Sequence, residues 1–330
     1  METGPRLTRL ALALLFITPL LAAPARAAEA SSGTSRTYTL KDGSTLTYGE
    51  PGFWRTIGAI PADLGTFVTD SFSKENLPWL GAITASTLIL IHYDQTLYNG
   101  ARRTGRKLGI SREDKTKTYL KLGGVSLFRG PSDLGSTLYF IGDGWMTIGA
   151  FGYLKISNLF ERDPRASQTA NQLVEGLLAT GLVTEVMKNV TGRETPSAAS
   201  GKGGVWRMFP GLNEYVAHRT RYDAFPSGHL ASSAMTITVL AENYPDNKYI
   251  WPVGGVLLGG LCFQMMNNGV HWASDYPLGF AVGYGIGKAI AVHGRTAARR
   301  GPAPVKQASL TLAPYLSPYG AVGAGATYRF

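Results

Sequence analysis

Six apolar stretches in the middle of this chain constrain its fold more than any other feature. They lie at 77–93, 135–156, 167–190, 228–243, 249–267 and 275–293. Their length and apolar composition predict α-helices. Such helices must bury their apolar surfaces against one another. The sequence therefore predicts an all-α bundle of about six core helices.

The two flanking segments predict small β-hairpins. Residues 37–40 and 45–48 enclose the turn Asp42-Gly43, and residues 310–315 and 321–330 enclose Pro-Tyr-Gly. We expect the second hairpin to lie at an edge, with the first hairpin as a candidate partner. The expected divisions are a signal peptide at 1–28, an N-terminal extension at 29–76, the helical domain at 77–293 and a C-terminal tail at 294–330.

Two long connections separate the predicted helices. Residues 94–133 are basic and polar, and we interpret them as a linker. Residues 194–226 are rich in Gly and Arg. Because a loop of this length inside a helical domain is often functional, we expect it to contribute to a site.

The first 28 residues have the features of an export signal. Arg6 and Arg9 precede an apolar run at 10–22, and Ala25-Arg26-Ala27 supplies a small-x-small cleavage site. We therefore expect a periplasmic or envelope-associated protein after cleavage of this segment.

The apolar stretches are weak candidates for membrane spans, which need about 20 mainly apolar residues. The first stretch is shorter, the second contains Asp143, and the third contains Glu175 and Glu185. These features favour a globular, buried helical bundle in the periplasm, for which contact with a membrane surface is left open. An integral inner-membrane protein is the alternative.

The charge balance favours an anionic partner. The chain has 32 basic and 22 acidic residues, a formal charge of +10. It has no long Lys/Arg block with interleaved aromatic residues. We therefore expect a phosphorylated small molecule or lipid as the substrate and no nucleic acid as a partner.

His271 and Asp275 are four residues apart at the start of the last apolar stretch. In a helix this spacing places both side chains on one face. A carboxylate beside one imidazole nitrogen makes the other nitrogen a stronger base or nucleophile. A surface ion pair or a helix cap would use the same two residues, so the pair alone leaves its role open.

Ser227, Gly228 and His229 lie at the start of the fourth apolar stretch. Ser227 is a suitable helix cap, and the free N–H groups of a helix N-terminus bind anions. His229 in the first turn would reach an anion bound there, although capping alone explains the serine. Lys188 and Arg193, at the end of the third stretch, favour either the helix dipole or a nearby phosphate.

Together these clusters resemble the motifs of the type 2 phosphatidic acid phosphatase (PAP2) superfamily, which are Lys-x6-Arg-Pro, Pro-Ser-Gly-His and Ser-Arg-x5-His-x3-Asp. The resemblance covers roughly residues 77–293 and implies a PAP2-type helical bundle. It also implies that Lys188, Ser227 and Gly228 bind the substrate phosphate, without a metal or another cofactor.

The same resemblance implies the catalytic roles. His229 matches the general acid that protonates the leaving oxygen. His271 matches the nucleophile that becomes phosphohistidine, and Asp275 matches the carboxylate that orients it.

The chain departs from the family pattern at both motif arginines. Thr195 and Met265 occupy those positions, and Gln264 occupies the serine position of the third motif. Arginine suits this role because its planar donors bind phosphate bidentately. Arg193 is the first candidate for a replacement. The other candidates are Arg219, Arg221, Asn267 and Asn268.

The sequence thus predicts an envelope phosphatase that acts on phosphate monoesters or on lipid phosphates and diphosphates. Loss of one transition-state donor typically costs about 10²- to 10³-fold in rate, so the absent arginines place the activity in question. One alternative is a degenerate phosphatase-like protein that binds anionic lipid without turnover. Another is an envelope glycolipid phosphotransferase. Haloperoxidase activity is the least favoured, because the family holds vanadate through the replaced arginines.

Overall fold

The computed structural model describes residues 35–50, 52–123, 125–298, 309–316 and 322–329. The predicted signal peptide lies outside the described residues. The helices are α1 Phe53–Gly58, α2 Ile60–Ser71, α3 Leu77–Lys107, α4 Leu134–Phe140, α5 Met146–Glu161, α6 Pro164–Thr191, α7 Leu212–Ala217, α8 Gly228–Asn243, α9 Ile250–Asn268 and α10 Tyr276–His293. The strands are β1 Arg36–Thr39, β2 Thr45–Tyr48, β3 Thr116–Leu122, β4 Val125–Pro131, β5 Thr296–Ala298, β6 Ser309–Leu316 and β7 Val322–Arg329.

The helices form a bundle with α8 at its centre. The predicted all-α fold is therefore confirmed. One face packs with α2, α6 and α10, a second with α5 and α6, and a third against α9. Most of α8 is buried, including the hydroxyl residues Ser232, Ser233, Thr236 and Thr238. The first turn of α8, which contains His229, is therefore held from several directions.

A stripe of glycines lets α10 approach α8 closely. Gly279, Gly283 and Gly287 are spaced by four residues and lie on one face of α10. A Cβ atom at Gly283 would lie 2.0 Å from the carbonyl oxygen of Ala231, and one at Gly279 would lie 2.7 Å from that of Ser227. The stripe thus fixes the start of α8 against α10.

Helix α3 continues beyond the predicted limit of residue 93, so the linker interpretation of 94–133 is wrong. Asp94, Tyr98, Ala101 and Gly105 are buried along one face of its second half. Their spacing follows the helical period, but the polar residues between them lower the average hydropathy. The rest of this segment includes the antiparallel hairpin of β3 and β4.

The predicted helix 135–156 is interrupted between α4 and α5. A single π-helical turn at Ile141–Trp145 contains Asp143 and Gly144 outside the helical conformation. Gly144 has φ of 80°, a conformation that glycine adopts without steric cost. The interruption turns the carboxylate of Asp143 toward the start of α8.

Both terminal hairpins form as predicted. Strand β1 pairs with β2 around a turn in which Ser44 N donates to Asp42 Oδ1 at 2.8 Å, and β6 pairs with β7. The suggested pairing between the two hairpins is wrong within the described residues, because β2 takes β5 as its second partner. Strand β5 follows α10 directly, so it reaches β2 first.

Large apolar side chains are exposed on α3, α5, α6 and α9. They include Trp79, Tyr153, Phe160, Leu178 and Val256. Among the described helices, α9 alone is long and apolar enough to cross a membrane, with a mean hydropathy of 1.2 and 33% of its apolar window buried. Core helices of soluble proteins pass the same test, so this feature by itself does not locate the protein.

Candidate active site

The first turn of α8 places His229 at the mouth of the site. Ser227 is the N-cap of α8, and its Oγ accepts from Leu230 N at 3.3 Å. The N–H of Ser227 donates to the carbonyl oxygen of Asp275 at 3.1 Å, which ties this turn to the His271 segment. Sequence analysis placed Ser227, Gly228 and His229 at a helix N-terminus, and the structure has them there.

His271 is buried and presents one ring nitrogen to the site. Its Nδ1 lies 2.7 Å from the carbonyl oxygen of Ala224, an atom that can only accept a hydrogen bond. Nδ1 therefore carries the hydrogen, and Nε2 carries the lone pair. Burial lowers the pKa of His271, whereas the neighbouring Asp275 opposes that change. The neutral imidazole is thus the favoured form.

Asp275 supports His271 more distantly than the resemblance implies. Its Oδ2 lies 3.4 Å from His271 Nδ1 but accepts from the backbone N–H of Trp272 at 2.7 Å. The carbonyl of Ala224 is thus the nearer partner of Nδ1. Asp275 adds a negative charge behind the ring, while Ala224 determines which nitrogen is protonated.

The two histidines face each other across the site. Nδ1 of His229 lies 3.3 Å from Nε2 of His271, and Nε2 of His229 lies 3.1 Å from Oδ1 of Asp143. Since both of these partners are acceptors, each nitrogen of His229 can donate to one of them when it carries a hydrogen. The hydroxyl of Tyr139 also lies 3.1 Å from His229 Nε2. This arrangement places a nitrogen that can donate a hydrogen bond beside the lone pair of His271 Nε2.

Asp143 is a residue of the site that the sequence motifs do not predict. In the sequence it is only a charge inside an apolar stretch. A carboxylate in such a stretch needs a partner, because an unpaired buried charge is costly. That signal indicates a paired acid, but the identity of the partner depends on the interruption between α4 and α5. The side chain of Asp143 is 34% exposed, so solvent reaches it.

Lys188 lies beside Gly228 at the start of α8. A Cβ at Gly228 would lie 3.3 Å from Lys188 Nζ, so the glycine leaves room for the lysine head. Lys188 Nζ also lies 2.9 Å from Asp223 Oδ1 and 3.7 Å from Glu185 Oε1. Burial raises the pKa of Asp223, but the charge and hydrogen bond of Lys188 and the charge of Arg219 together outweigh this effect, and the pKa is lowered. The lysine is thus already paired with a carboxylate.

Arg219 belongs to the same charged cluster. Its Nη2 lies 2.6 Å from Glu185 Oε2 and 3.6 Å from Asp223 Oδ1. The hydroxyl of Tyr215 lies 3.1 Å from both carboxylates. Half of the Arg219 side chain is exposed, so the guanidinium can change partners. Among the candidate replacements for the motif arginines, Arg219 shares the partners of Lys188.

Arg193 is fully buried and joins α3 to the segment that contains Asp275. Its Nη1 donates to Asp275 Oδ1 at 2.5 Å and to Ser274 Oγ at 2.6 Å. Its Nη2 donates to Asp94 Oδ2 at 2.6 Å and to the carbonyl oxygen of Gly203. Both terminal nitrogens are therefore occupied by acceptors of the protein. This position does not fit a phosphate ligand, and sequence analysis did not identify Asp94 as the partner.

The two residues at the positions of the absent arginines are uncharged and buried. Met265 is fully buried, and its sulfur lies 3.7 Å from Ser227 Oγ. Thr195 is 5% exposed, and its hydroxyl lies 3.1 Å from that of Ser197. Asn267 donates to the carbonyl oxygen of Ser111 at 3.2 Å. Arg221 is exposed in the loop before α8.

The described residues contain no group of three or more His, Cys, Asp or Glu side chains arranged to hold a metal ion. The site in this part of the chain consists of two imidazoles, their carboxylates and the lysine cluster. These groups can transfer a proton, supply a nucleophilic nitrogen and bind an anion.

One comparison with known proteins found a match. The model of the PAP2 superfamily matches residues 169–297, which include the lysine cluster and both histidines. Searches of curated proteins and of solved structures gave no match. Residues 169–297 are therefore similar to the PAP2 superfamily, in agreement with the motifs of the sequence.

Proposed function

We propose that this chain is a phosphatase that hydrolyses phosphate monoesters, lipid phosphates or lipid diphosphates through a phosphohistidine on His271. The observation that carries the proposal is the 3.3 Å separation between His271 Nε2 and His229 Nδ1, with the other nitrogen of His271 held by Ala224. The family match supports phosphatase-type activity.

In the first step, the lone pair of His271 Nε2 attacks phosphorus, and the bond from phosphorus to the leaving oxygen breaks. His229 gives its Nδ1 proton to that oxygen, so the alcohol leaves as a neutral molecule. Asp275 Oδ2, 3.4 Å from His271 Nδ1, offsets the positive charge that develops on the ring.

In the second step, water attacks phosphorus, and the bond from phosphorus to His271 Nε2 breaks. His229, now neutral, takes a proton from the water. Inorganic phosphate leaves, and both histidines return to their starting protonation states. Asp143 supports this cycle as a positioning residue, because its carboxylate lies 3.1 Å from His229 Nε2 and holds the ring with Nδ1 toward His271.

Lys188 and the first turn of α8 are the proposed phosphate ligands. The first N–H groups of an α-helix have no partner within the helix and bind anions. Ser227 and Gly228 lie at the start of the helix, beside these N–H groups, and are proposed to bind the phosphate oxygens. A substrate phosphate would replace Asp223 on Lys188, and Arg219 is the proposed second cation. Arg193 acts through Asp275 instead.

A lipid substrate and an envelope location are parts of the same proposal. The exposed apolar side chains of α3, α5, α6 and α9 support contact with a membrane surface. The formal charge of +10 supports contact with anionic lipid. Cell fractionation, with and without residues 1–28, tests the location. Recovery of the full-length chain in the cytosol would contradict it.

Phosphate release by the purified chain tests the reaction. We expect release from p-nitrophenyl phosphate and from phosphatidic acid in detergent micelles, and none from the His271→Ala variant. His218→Ala is the matched control, because His218 is 51% exposed and lies 4.0 Å from Glu214, its ion-pair partner. Phosphate label from the substrate should become covalently attached to the wild-type protein. Acid should release this label, as expected for a phosphohistidine. Full activity of His271→Ala would exclude the mechanism.

A binding protein without turnover is the second candidate. It is favoured by Thr195 and Met265 at the arginine positions and by the carboxylate already on Lys188. Such a protein would bind phosphatidic acid vesicles without releasing phosphate from any of a broad panel of substrates. Its binding would be unchanged in His271→Ala, whereas a phosphatase loses turnover.

A further inference from the structure

A second cationic cavity lies beside the proposed active site. Its volume is about 360 Å³, and its lining residues are Arg106, Ile110, Ser111, Arg112, Glu113 and Lys115. Lys115 pairs with Glu113 at 3.6 Å. Within the described part of the chain, Arg106 and Arg112 make no ion pair to offset their charges. The cavity therefore carries a net positive charge and has room for a phosphoryl group.

Helix α4 connects this cavity to His229. A Cβ at Gly135 would lie 2.5 Å from the carbonyl oxygen of Ser111, which lines the cavity. Tyr139 lies four residues later on the same face of α4 and contacts His229 Nε2 at 3.1 Å. Four residues of helix span about 6 Å, so the two positions are one turn apart.

Helix α9 makes the same connection from another direction. Gln264 Nε2 donates to the carbonyl oxygen of Ser111 at 2.8 Å. The next residue, Met265, contacts Ser227 at the start of α8. The pKa of Asp114, which lies between two cavity residues in the chain, supports this placement. Burial raises this pKa, and the nearby charges of Asp143 and Asp133 raise it further. Two helices thus place the wall of the cavity beside the histidine pair.

We infer that the cavity lined by Arg106 and Arg112 binds a second phosphoryl group of the substrate, while the first occupies the histidine site. The inference rests on the proposed function for the identity of the first site. Two guanidinium groups suit a phosphate because their planar donors match its oxygens. A substrate with two phosphoryl groups would bind through both sites at once, so the second contact would strengthen its binding.

Binding of non-hydrolysable ligands tests the inference without requiring turnover. Calorimetry with the purified full chain would compare ethane, butane and hexane bisphosphonates with the matching alkyl monophosphonates. We expect one bisphosphonate length to bind at least about fivefold more tightly than its monophosphonate. We also expect Arg106→Gln and Arg112→Gln to remove most of that advantage and to leave monophosphonate binding unchanged.

Arg103→Gln is the matched control. Arg103 is an exposed arginine on the same helix, one turn from Arg106, and does not line the cavity. The substitution removes the same charge outside the cavity. The variant should therefore retain the tighter binding of the bisphosphonate. An equal loss in Arg103→Gln would assign the effect to general charge and overturn the subsite. Thermal unfolding of each variant confirms that the substitutions leave the fold intact.

Other outcomes separate this inference from the proposed function. Equal binding of bisphosphonates and monophosphonates would overturn the subsite, even if the chain releases phosphate. A bisphosphonate advantage that depends on Arg106, found without any phosphate release, would support the subsite and contradict the phosphatase. Loss of binding to phosphatidylglycerol vesicles in Arg106→Gln, without a bisphosphonate advantage, would assign the cavity to membrane lipid instead.

Discussion

His229 and His271 lie with Nδ1 and Nε2 3.3 Å apart, and the nitrogen that each turns away is bound to an acceptor. That acceptor is a neutral carbonyl for His271 and the carboxylate of Asp143 for His229. The two imidazoles therefore differ in the charge of the group behind them. A phosphate that enters between them would meet the lone pair of His271 Nε2 on one side and His229 Nδ1 on the other.

The role of His229 as an acid predicts a dependence on the leaving group. His229→Gln should slow hydrolysis of an alkyl phosphate by about 10²- to 10⁴-fold, because the alkoxide would leave without a proton. Hydrolysis of p-nitrophenyl phosphate should slow much less, since nitrophenolate needs little protonation. Steady-state kcat for both substrates measures this difference. Equal losses would contradict the acid role.

The contact between Asp143 and His229 predicts a loss of activity when the carboxylate is removed. Asp143→Asn should lower kcat by about tenfold, the effect of one charge-assisted hydrogen bond. Tyr139→Phe removes the other contact of the same nitrogen and keeps the carboxylate, so its loss of kcat should be smaller. Steady-state kcat for an alkyl phosphate measures both losses. Equal losses in the two variants would contradict a specific role for the carboxylate.

The pairing of Lys188 with Asp223 predicts stronger phosphate binding when the carboxylate is removed. Asp223→Asn should lower the inhibition constant of inorganic phosphate by about fivefold, because phosphate no longer competes with an internal anion. Competitive inhibition measured against p-nitrophenyl phosphate gives this constant. Glu214→Gln should leave this constant unchanged, because Glu214 is exposed and its partners are Tyr222 and His218.

The buried contacts of Arg193 predict a large effect on stability. Arg193→Gln leaves Asp94 and Asp275 without their cation in the interior, and we expect a loss of about 3–5 kcal/mol in the free energy of unfolding. Arg219→Gln breaks an exposed pair, for which we expect at most about 1 kcal/mol. Chemical denaturation of both variants compares the two values. A raised KM with unchanged stability in Arg193→Gln would instead indicate a phosphate ligand.

The burial of His271 predicts that stability depends on pH. Its pKa in the folded protein lies below the ordinary value of 6.5, so the unfolded chain binds the proton more readily. This contribution is fully present above pH 6.5 and is lost as the pH falls through the folded value. The thermal unfolding temperature of the wild type should therefore fall as the pH is lowered through that range. His271→Gln lacks the titration and should show a smaller decrease.

Local patterns in the sequence are sufficient for four of the core helices, α6, α8, α9 and α10, and for the pairing of the two histidines. The apolar stretch at 228–243 corresponds to α8, because apolar composition and the cap at Ser227 act over a few residues. The family motifs likewise place His229 and His271 at one site. The sequence patterns do not predict the second half of α3, because polar residues lie between its buried positions and lower the average hydropathy.

Tertiary structure alone decided which charges meet. Asp143 reaches His229 across 86 positions of the chain, through an interruption that Gly144 permits. Arg193, the first candidate for a phosphate ligand, is instead enclosed by Asp94 and Asp275, and Lys188 is already paired with Asp223. The motifs carry residue types and short spacings. The partner of a buried charge depends on which helices pack together, because the partner must offset the cost of removing that charge from water.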